Sequence, residues 1–248
     1  MSDIYAERMS GRHKSDSAFW APALGSAAFE GFCRMFFTCY CPLTVEGRQH
    51  LPGQPFLLCS NHSSHIDSAA LMTASGRSFH NFALIGASDY FFRSSSVRWS
   101  VSPFMNVIPI ERRPGAKSLA CCLTTCRRFL QQTGRCLILY PEGTRSPDGE
   151  MRAFKSGAGL FANELRVPLV PAYIEGTHRI LPKGHSVPRP GPLTVRFGEA
   201  LVVAALCADA ESLRDRRRFV VEHLARKIRL LSPGYQAREL VAGIQQKG

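Results

Sequence analysis

Short apolar runs alternate with amphipathic stretches from residue 55 onward. Apolar runs of about four to eight residues are typical of buried strands, whereas apolar residues three and four positions apart indicate a helix. This pattern predicts strands at residues 55–60, 80–88, 106–110, 135–140, 167–176 and 193–201. It predicts helices at residues 67–74, 117–130, 157–165 and 209–231. Strands that alternate with helices predict an α/β fold with a mostly parallel central sheet flanked by helices.

An aromatic-rich segment, residues 19–43, precedes this alternation. Its phenylalanines recur at helical spacing, but Glu30 and Arg34 interrupt it, so it lacks the ~18–20 consecutive apolar residues that cross a bilayer. Aromatic rings interleaved with charges are typical of a helix in the membrane interface. A helix that covers the core is the alternative. We expect an interfacial helical segment that lies on a membrane rather than across it.

The chain is strongly basic, and the charge is unevenly distributed. Lysine and arginine number 31 against 19 aspartates and glutamates, which gives a formal net charge of +12. Almost all of this excess lies beyond residue 100. It predicts an anionic partner: nucleic acid, a membrane surface or a phosphorylated substrate. No nucleic-acid-binding motif accompanies the charge, so we expect no nucleic acid partner.

Nine cysteines are distributed along the chain without any CxxC pair. Their odd number and mostly apolar neighbours argue against a disulfide scaffold, and the first residues do not read as a secretory signal. We expect reduced thiols that pack as small apolar side chains in a cytosolic environment.

His62 and Asp67 follow the predicted strand 55–60. On one helix, a separation of five residues would turn the two side chains about 140° apart. They can meet if His62 lies on the loop after the strand and Asp67 lies in the first turn of the next helix. There the carboxylate would hold one imidazole N–H while the other nitrogen takes a proton. The pair predicts a general base with its orienting partner, at the strand end where open α/β sheets place their sites.

A metal site or a serine nucleophile would use similar residues. His65 could join His62 and Asp67 as a ligand, but the other histidines are scattered and the spacing fits no zinc pattern. Ser63 and Ser64 lie beside His62, but no G-x-S-x-G turn surrounds them. We therefore expect no metal and no covalent intermediate.

The loop YPEGTRSPDG, residues 140–149, has the composition of an anion-binding turn. Gly143 permits a sharp turn, Thr144 adds a hydroxyl, and the guanidinium of Arg145 can match two phosphate oxygens at once. Glu142 could hold Arg145 or bind a substrate hydroxyl. A plain surface loop is the alternative, because the same residues are common in turns.

Further cations lie on other loops of the same half of the chain. Arg112 follows the predicted strand 106–110, and Lys155 precedes a helix start that Gly157 permits. Backbone N–H groups at a helix start also attract anions. Several cation-bearing loops together favour a phosphate pocket over a chance arrangement. Its predicted members are Arg112, Glu142, Gly143, Thr144, Arg145 and Lys155.

Taken together, these blocks resemble those of the glycerolipid acyltransferases, the glycerol-3-phosphate and 1-acylglycerol-3-phosphate acyltransferase family. Residues 61–67 match the family's NHxxxxD block, and residues 140–146 match FPEGTRS with Tyr140 in place of Phe. Residues 154–157 and 167–172 match the two following blocks in the same order. The resemblance covers about residues 45–200.

One block departs from the family pattern. Residues 106–112, NVIPIER, stand where the family usually has G-x-I-x-I-x-R, so Asn106 replaces a glycine. Asparagine tolerates a positive φ, which would preserve a backbone role. If the glycine instead leaves room for substrate, Asn106 is expected to narrow the pocket.

The resemblance implies acyl transfer from acyl-CoA or acyl-carrier protein to the free hydroxyl of a lysophospholipid. The simplest reaction converts 1-acylglycerol-3-phosphate to phosphatidate. His62 would be the general base and Asp67 its support, while Arg112, Arg145 and Lys155 would hold the acceptor phosphate without any metal or other cofactor. The alternatives are another acceptor (glycerol-3-phosphate, another lysophospholipid or a lyso-aminolipid) or a non-catalytic lipid-surface binding protein.

On this reading the chain has three parts. Residues 1–44 comprise a polar tail and the membrane-interface segment, residues 45–205 an acyltransferase domain, and residues 206–248 a basic amphipathic helix and tail packed on that domain. The basic face of the last helix is expected to be solvated, with contact to anionic lipid or an acidic carrier protein as the alternative. We expect peripheral association with the cytoplasmic face of a membrane whose surface is anionic.

Overall fold

Seven strands form one central sheet in the computed structural model, which describes residues 23–88, 104–206 and 212–235. The strands are β1 (Leu43–Glu46), β2 (Phe56–Ser60), β3 (Phe82–Ala87), β4 (Asn106–Ile110), β5 (Cys136–Leu139), β6 (Leu169–Glu175) and β7 (Leu193–Phe197). The helices are α1 (Ala23–Met35), α2 (Asp67–Ser75), α3 (Ala116–Leu130), α4 (Gly157–Leu165), α5 (Thr177–Ile180), α6 (Val203–Leu206) and α7 (Leu213–Leu230). A π-helical turn (Phe36–Tyr40) extends α1, and two 3₁₀ turns span Arg48–His50 and Phe79–Asn81.

The strand order across the sheet is β1-β7-β6-β2-β5-β3-β4. Strands β6, β2, β5, β3 and β4 are mutually parallel, whereas β7 runs antiparallel to β6 and carries β1 parallel to itself. The predicted α/β fold with a mostly parallel sheet is therefore confirmed. Since parallel strands end at the same side, the residues that follow β2, β4 and β5 share one edge of the sheet, which we call the carboxyl edge.

Helices cover both faces of the sheet. Helices α1 and α2 pack on one face against alternate strand residues such as Leu58 and Ile138. Helices α3, α4 and α7 pack on the other face against neighbours such as Leu57 and Leu137. Every residue of β2 is buried as a consequence, which explains its uninterrupted apolar character. Helices α4 and α7 approach closely at Gly159, where a Cβ would lie 2.3 Å from the carbonyl oxygen of Arg217.

Helix α1 has two different faces. Cys33 and, in the following π-turn, Phe37 are buried in the core. Leu24, Phe32 and Met35 are exposed instead. The segment therefore covers the core and also presents apolar side chains outward. Within the three described ranges, no helix is both long enough and apolar enough to span a membrane.

Several sequence predictions differ from the structure in detail. Strand β1 was not predicted, because Leu43 falls at the end of the aromatic segment. The predicted strand 193–201 ends at Phe197, and the residues just before β3 form a 3₁₀ turn. Predictions for the polar tail, the first aromatic residues, the start of the last helix and the C-terminal tail fall on residues outside the described ranges. Each of the eight described cysteines is a free thiol.

The structure places Asn106 differently from both expectations, a positive φ and a narrowed substrate pocket. It is the first residue of β4, and Arg166 is the one non-glycine residue of positive φ in the described part of the chain. The Asn106 amide donates to the carbonyl oxygens of His80 (3.1 Å) and Phe82 (2.8 Å), so its buried side chain ties β4 to β3. Asn106 also lies at the end of β4 opposite the carboxyl edge, four residues before Ile110. It therefore neither supplies a left-handed backbone nor narrows a pocket at that edge.

Candidate active site

His62 and Asp67 meet at the carboxyl edge of the sheet. Strand β2 ends at Ser60, His62 lies on the following loop, and Asp67 is the first residue of α2. Asp67 Oδ2 lies 2.8 Å from His62 Nδ1 and also accepts the backbone N–H groups of Ser63 (2.7 Å) and Ser64 (2.8 Å). These two N–H donors hold the buried carboxylate in place at the start of α2. With the Nδ1–H directed at Asp67, Nε2 is the ring nitrogen that can accept a proton.

The backbone of His62 is held from both sides. Its N–H donates to Glu142 Oε1 at 2.8 Å, and its carbonyl accepts the N–H of Ser146 at 2.7 Å. The preceding Asn61 pairs with the backbone of Ile174 in β6, donating at 2.9 Å and accepting at 2.8 Å. These contacts link β2, β6 and the loop after β5, so the position of His62 depends on three parts of the chain.

The ring of His62 lies on the ring of Tyr140, the residue that follows β5. The two ring centroids are 3.8 Å apart and the planes differ by 11°. The Tyr140 hydroxyl lies 2.8 Å from Ser68 Oγ, and both residues are buried. Stacking therefore covers one face of the imidazole.

Glu142 is a buried bridge between two backbone segments. Its Oε1 accepts the N–H of His62, and its Oε2 accepts the N–H of Arg152 at 3.0 Å. Burial raises the pKa of this carboxyl from its usual 4.5 to about 7, against the lowering effect of the two N–H donors. The sequence suggests no role for Glu142 beyond holding Arg145 or a substrate hydroxyl, and the structure adds this backbone bridge.

Two of the predicted cations converge on Gly143. Its φ of +68° is a left-handed conformation, and a Cβ there would lie 2.8 Å from Lys155 Nζ. Arg112 Nη1 donates to the Gly143 carbonyl at 3.3 Å. Both cationic side chains are exposed. Because Gly143 has no Cβ, Lys155 can lie directly against this turn at the carboxyl edge.

Arg145 lies further along the same loop, beyond the half-exposed Thr144. Desolvation of His65, together with the positive charge of Arg145 and the neighbouring His62, lowers the pKa of His65 to about 4, against the raising effect of Asp67. The charge of Arg145 therefore acts on the loop that carries His62. At neutral pH the ring of His65 is uncharged.

The serines beside His62 have structural partners. Ser63 Oγ lies 3.2 Å from Thr177 Oγ1, and Ser64 Oγ donates to the Leu181 carbonyl at 2.7 Å. Both hydroxyls thus tie the loop to the segment around α5. Among the described residues, no group of three or more His, Cys, Asp and Glu side chains could hold a metal ion.

Sequence reasoning missed the site residues whose contacts are with residues far along the chain. The sequence pattern assigns no role to Asn61 or Ser68, and gives Tyr140 none beyond its match to the family block. Asn61 and Tyr140 stand within those blocks, which is the signal that could have marked them.

An imidazole–carboxylate pair and a loop that carries cations therefore lie together at the carboxyl edge of a mostly parallel α/β sheet. A family model described as Acyltransferase matches residues 42–175, more than half of the chain. The chain belongs to this acyltransferase family.

Two plant proteins are among its similar relatives. A chloroplastic 1-acyl-sn-glycerol-3-phosphate acyltransferase of Arabidopsis thaliana is 34% identical over 144 residues, which cover 57% of this chain and 38% of the relative. A second, from Brassica napus, is 33% identical over 142 residues, which cover 56% of this chain and 39% of the relative. The chain thus spans about two fifths of the length of these relatives.

A solved structure is similar in fold. The crystal structure of the 1-acyl-sn-glycerophosphate acyltransferase PlsC from Thermotoga maritima aligns with a TM-score of 0.61 at 23% identity, over 92% of this chain and 86% of that one. The central sheet and its flanking helices therefore follow a known arrangement.

Proposed function

We propose that the protein transfers a fatty acyl group from acyl-CoA or acyl-carrier protein to the free hydroxyl of a lysophospholipid. The proposed acceptor is 1-acylglycerol-3-phosphate, which would become phosphatidate. The observation that carries the proposal is the 2.8 Å contact between His62 Nδ1 and Asp67 Oδ2, beside a loop lined with cations. The names of the relatives, which are 1-acyl-sn-glycerol-3-phosphate acyltransferases, support the choice of acceptor.

The proposed reaction needs one base. His62 Nε2 takes the proton of the acceptor hydroxyl as its oxygen attacks the thioester carbonyl carbon. The tetrahedral intermediate then expels the thiolate, which takes the proton from the imidazolium. Asp67 stabilises the imidazolium between the two steps. The acyl group passes directly to the acceptor, without a covalent bond to the protein.

The acceptor phosphate would lie against the turn at Gly143. Arg112 and Lys155 already contact this turn, and Arg145 follows it. Guanidinium groups bind phosphate through paired hydrogen bonds, and an ammonium adds a point charge. Such contacts would hold the acceptor hydroxyl at a fixed distance from His62.

Thioester release with matched acceptors tests the function. The wild-type protein is expected to release free thiol from acyl-CoA or acyl-carrier protein with 1-acylglycerol-3-phosphate, and less efficiently with lysophosphatidylcholine. Arg145→Ala is expected to raise KM for 1-acylglycerol-3-phosphate about tenfold or more, since a hydrogen bond to a charged group contributes about 1.5–3 kcal/mol. The matched control is Arg229→Ala, an exposed arginine on α7.

Several outcomes would contradict this assignment. Lipid binding without thiol release would indicate a non-catalytic lipid-surface protein. Faster turnover with glycerol-3-phosphate or a lyso-aminolipid would assign another acceptor. An unchanged KM in Arg145→Ala would show that Arg145 does not bind the acceptor phosphate.

We also propose that the protein works at an anionic membrane surface, where its lipid substrates reside. The outward face of α1 and its π-turn exposes large apolar side chains: Phe32 is 54% exposed, Met35 60% and Tyr40 42%. Such a face can insert among acyl chains while the rest of the domain stays in water.

A basic loop lies next to this face. The Tyr40 hydroxyl donates to the carbonyl of Pro188 at 3.1 Å, which brings the loop 182–192 against the end of the π-turn. The loop exposes Val187 and three basic side chains, those of Lys183, His185 and Arg189. An apolar surface bordered by cations fits a bilayer whose headgroups are anionic.

Vesicle sedimentation tests this membrane surface. The double variant Phe32→Ser/Met35→Ser is expected to bind vesicles of phosphatidylcholine and phosphatidylglycerol at least about tenfold more weakly, because burying each such side chain stabilises by about 1.5–3 kcal/mol. Phe219→Ser, which removes a 47% exposed ring on the opposite side of the sheet, is the matched control. Equal losses in both proteins, or no loss in the double variant, would contradict the proposed surface.

A further inference from the structure

Tyr140 contacts the candidate base without taking part in the proposed chemistry. It stands where the resembling family has phenylalanine, at the end of β5 and the start of the loop that carries Gly143. Its ring is parallel to the imidazole of His62, with 3.8 Å between centroids. The contact therefore joins the base directly to the first residue of the proposed phosphate loop.

The contacts of Tyr140 and His62 form a closed network with the first turn of α2. Tyr140 stacks on His62, His62 contacts the Asp67 carboxylate, and the Tyr140 hydroxyl lies 2.8 Å from Ser68, the next residue of α2. Two adjacent residues in the first turn of α2 thus contact the two rings: Asp67 contacts Nδ1 of the imidazole, and Ser68 contacts the hydroxyl of the phenol. Neither aromatic ring can rotate without losing one of these contacts.

We propose that Tyr140 is a positioning residue that fixes the plane of the His62 imidazole, so that Nε2 points at the acceptor hydroxyl. The proposal rests on the proposed function, in which His62 is the base. The hydrogen bond to Asp67 fixes one ring atom but leaves the ring able to tilt about the Nδ1···Oδ2 line. A flat contact over the whole ring removes that freedom.

The chemistry of the phenol suits this role. Burial and the nearby charge of Asp67 raise the pKa of Tyr140 well above its ordinary value, against the lowering effect of the Ser68 hydrogen bond. The side chain is therefore a neutral phenol, which can hydrogen-bond to Ser68 without adding charge beside the imidazole. The π face of the ring also favours the imidazolium that forms when His62 takes a proton.

Three variants separate the stacked ring from its hydroxyl. Tyr140→Leu removes the ring, Tyr140→Phe keeps the ring and removes the hydroxyl, and Ser68→Ala removes only the hydroxyl's partner. In the thioester assay, Tyr140→Leu is expected to lower kcat about tenfold to hundredfold with KM for the acceptor unchanged, because small misplacements of a catalytic group are costly in rate. Tyr140→Phe and Ser68→Ala are expected to retain kcat within about threefold of wild type, because the stack persists.

A magnetic resonance measurement reads the stack without activity. The ring current of Tyr140 is expected to move the His62 imidazole proton signals upfield, in the wild type and in Tyr140→Phe alike. The signals return toward ordinary histidine positions in Tyr140→Leu. If Tyr140→Leu does not fold, Tyr140→Met replaces it, because the unbranched side chain of methionine fills irregular space.

The two readouts separate this proposal from the proposed function. A wild-type protein without acyl transfer but with upfield His62 signals would overturn the function and leave the stack intact. A folded Tyr140→Leu variant with kcat within about twofold of wild type, or with its loss entirely in KM, would overturn the positioning role. Equal kcat losses in Tyr140→Phe and Tyr140→Leu would also overturn it, by moving the effect from the ring to the hydroxyl.

Discussion

His62→Ala is expected to abolish acyl transfer while the protein still folds. General-base catalysis contributes about 10²–10⁴-fold, and alanine leaves no group that can take the proton of the acceptor hydroxyl. The backbone of residue 62 keeps its hydrogen bonds to Glu142 and Ser146 in this variant, so the loop retains both of these ties. The measurement is thioester release at saturating acceptor, together with thermal unfolding of the same preparation.

Asp67 permits a sharper version of this test, because its two oxygens differ. Oδ2 has three contacts, to His62 Nδ1 and to the N–H groups of Ser63 and Ser64, whereas Oδ1 has no hydrogen-bond partner among the described residues. Asparagine can keep its oxygen at the Oδ2 position and its NH₂ at the Oδ1 position. Asp67→Asn therefore preserves the geometry and removes the charge.

The two Asp67 variants are expected to differ accordingly. Asp67→Asn should lower kcat about 10²-fold or more, because the imidazolium loses its counter-charge. Asp67→Ala also leaves two buried N–H groups without an acceptor, so it should in addition lose roughly 2 kcal/mol or more of stability. Wild-type kcat in Asp67→Asn would limit the carboxylate to a structural role. Normal turnover in His62→Ala would reject the mechanism altogether.

The sequence was sufficient for the parts of this protein that depend on local pattern. The parallel sheet and its flanking helices follow from hydrophobic periodicity, because both faces of each central strand are buried. The arrangement of His62 and Asp67 follows from a separation of five residues, which a single helix could not bring together. Both arguments use neighbours along the chain.

The parts that could not be predicted depend on contacts between distant residues. Glu142 resembles a ligand of the phosphate loop in sequence, but its oxygens accept N–H groups at positions 62 and 152. Asn61 pairs with a strand 113 residues away. Asn106 stands where the resembling family usually has glycine, yet its side chain ties its own strand to the neighbouring one. In each case the backbone partner becomes visible only once the strand order is known.

Glu142→Gln is expected to lower kcat about tenfold and to change the pH dependence of stability. An amide has one oxygen acceptor, so one of the N–H groups of His62 and Arg152 must face an NH₂ group. If that group is His62 N–H, the loop that carries the base shifts, and small shifts of a catalytic group are costly in rate. Thioester release measures the first effect, and denaturant unfolding over a pH series measures the second.

The sign of the pH effect follows from the raised pKa. Burial holds the folded-state pKa of Glu142 at about 7 against 4.5 for the unfolded chain, so the folded protein binds this proton more tightly. The stabilising contribution of the protonated carboxyl is therefore fully present below pH 4.5 and is lost as the pH rises through 7. Each pKa unit corresponds to about 1.4 kcal/mol, so the loss is of the order of 3 kcal/mol. Glutamine does not titrate and should show no such loss.

The decisive quantity is the difference in free energy of unfolding between wild type and Glu142→Gln at each pH, since all other titrating groups are common to both. This difference is expected to move against the wild type as the pH rises from 4.5 through 7. Glu222→Gln, at an exposed ion pair with Arg218 on α7, is the matched control and should change the free energy by less than about 1 kcal/mol at every pH. If the wild-type and Glu142→Gln curves instead stay parallel, the pKa of Glu142 is the same in the folded and unfolded states. The two N–H donors would then offset the effect of burial on this pKa.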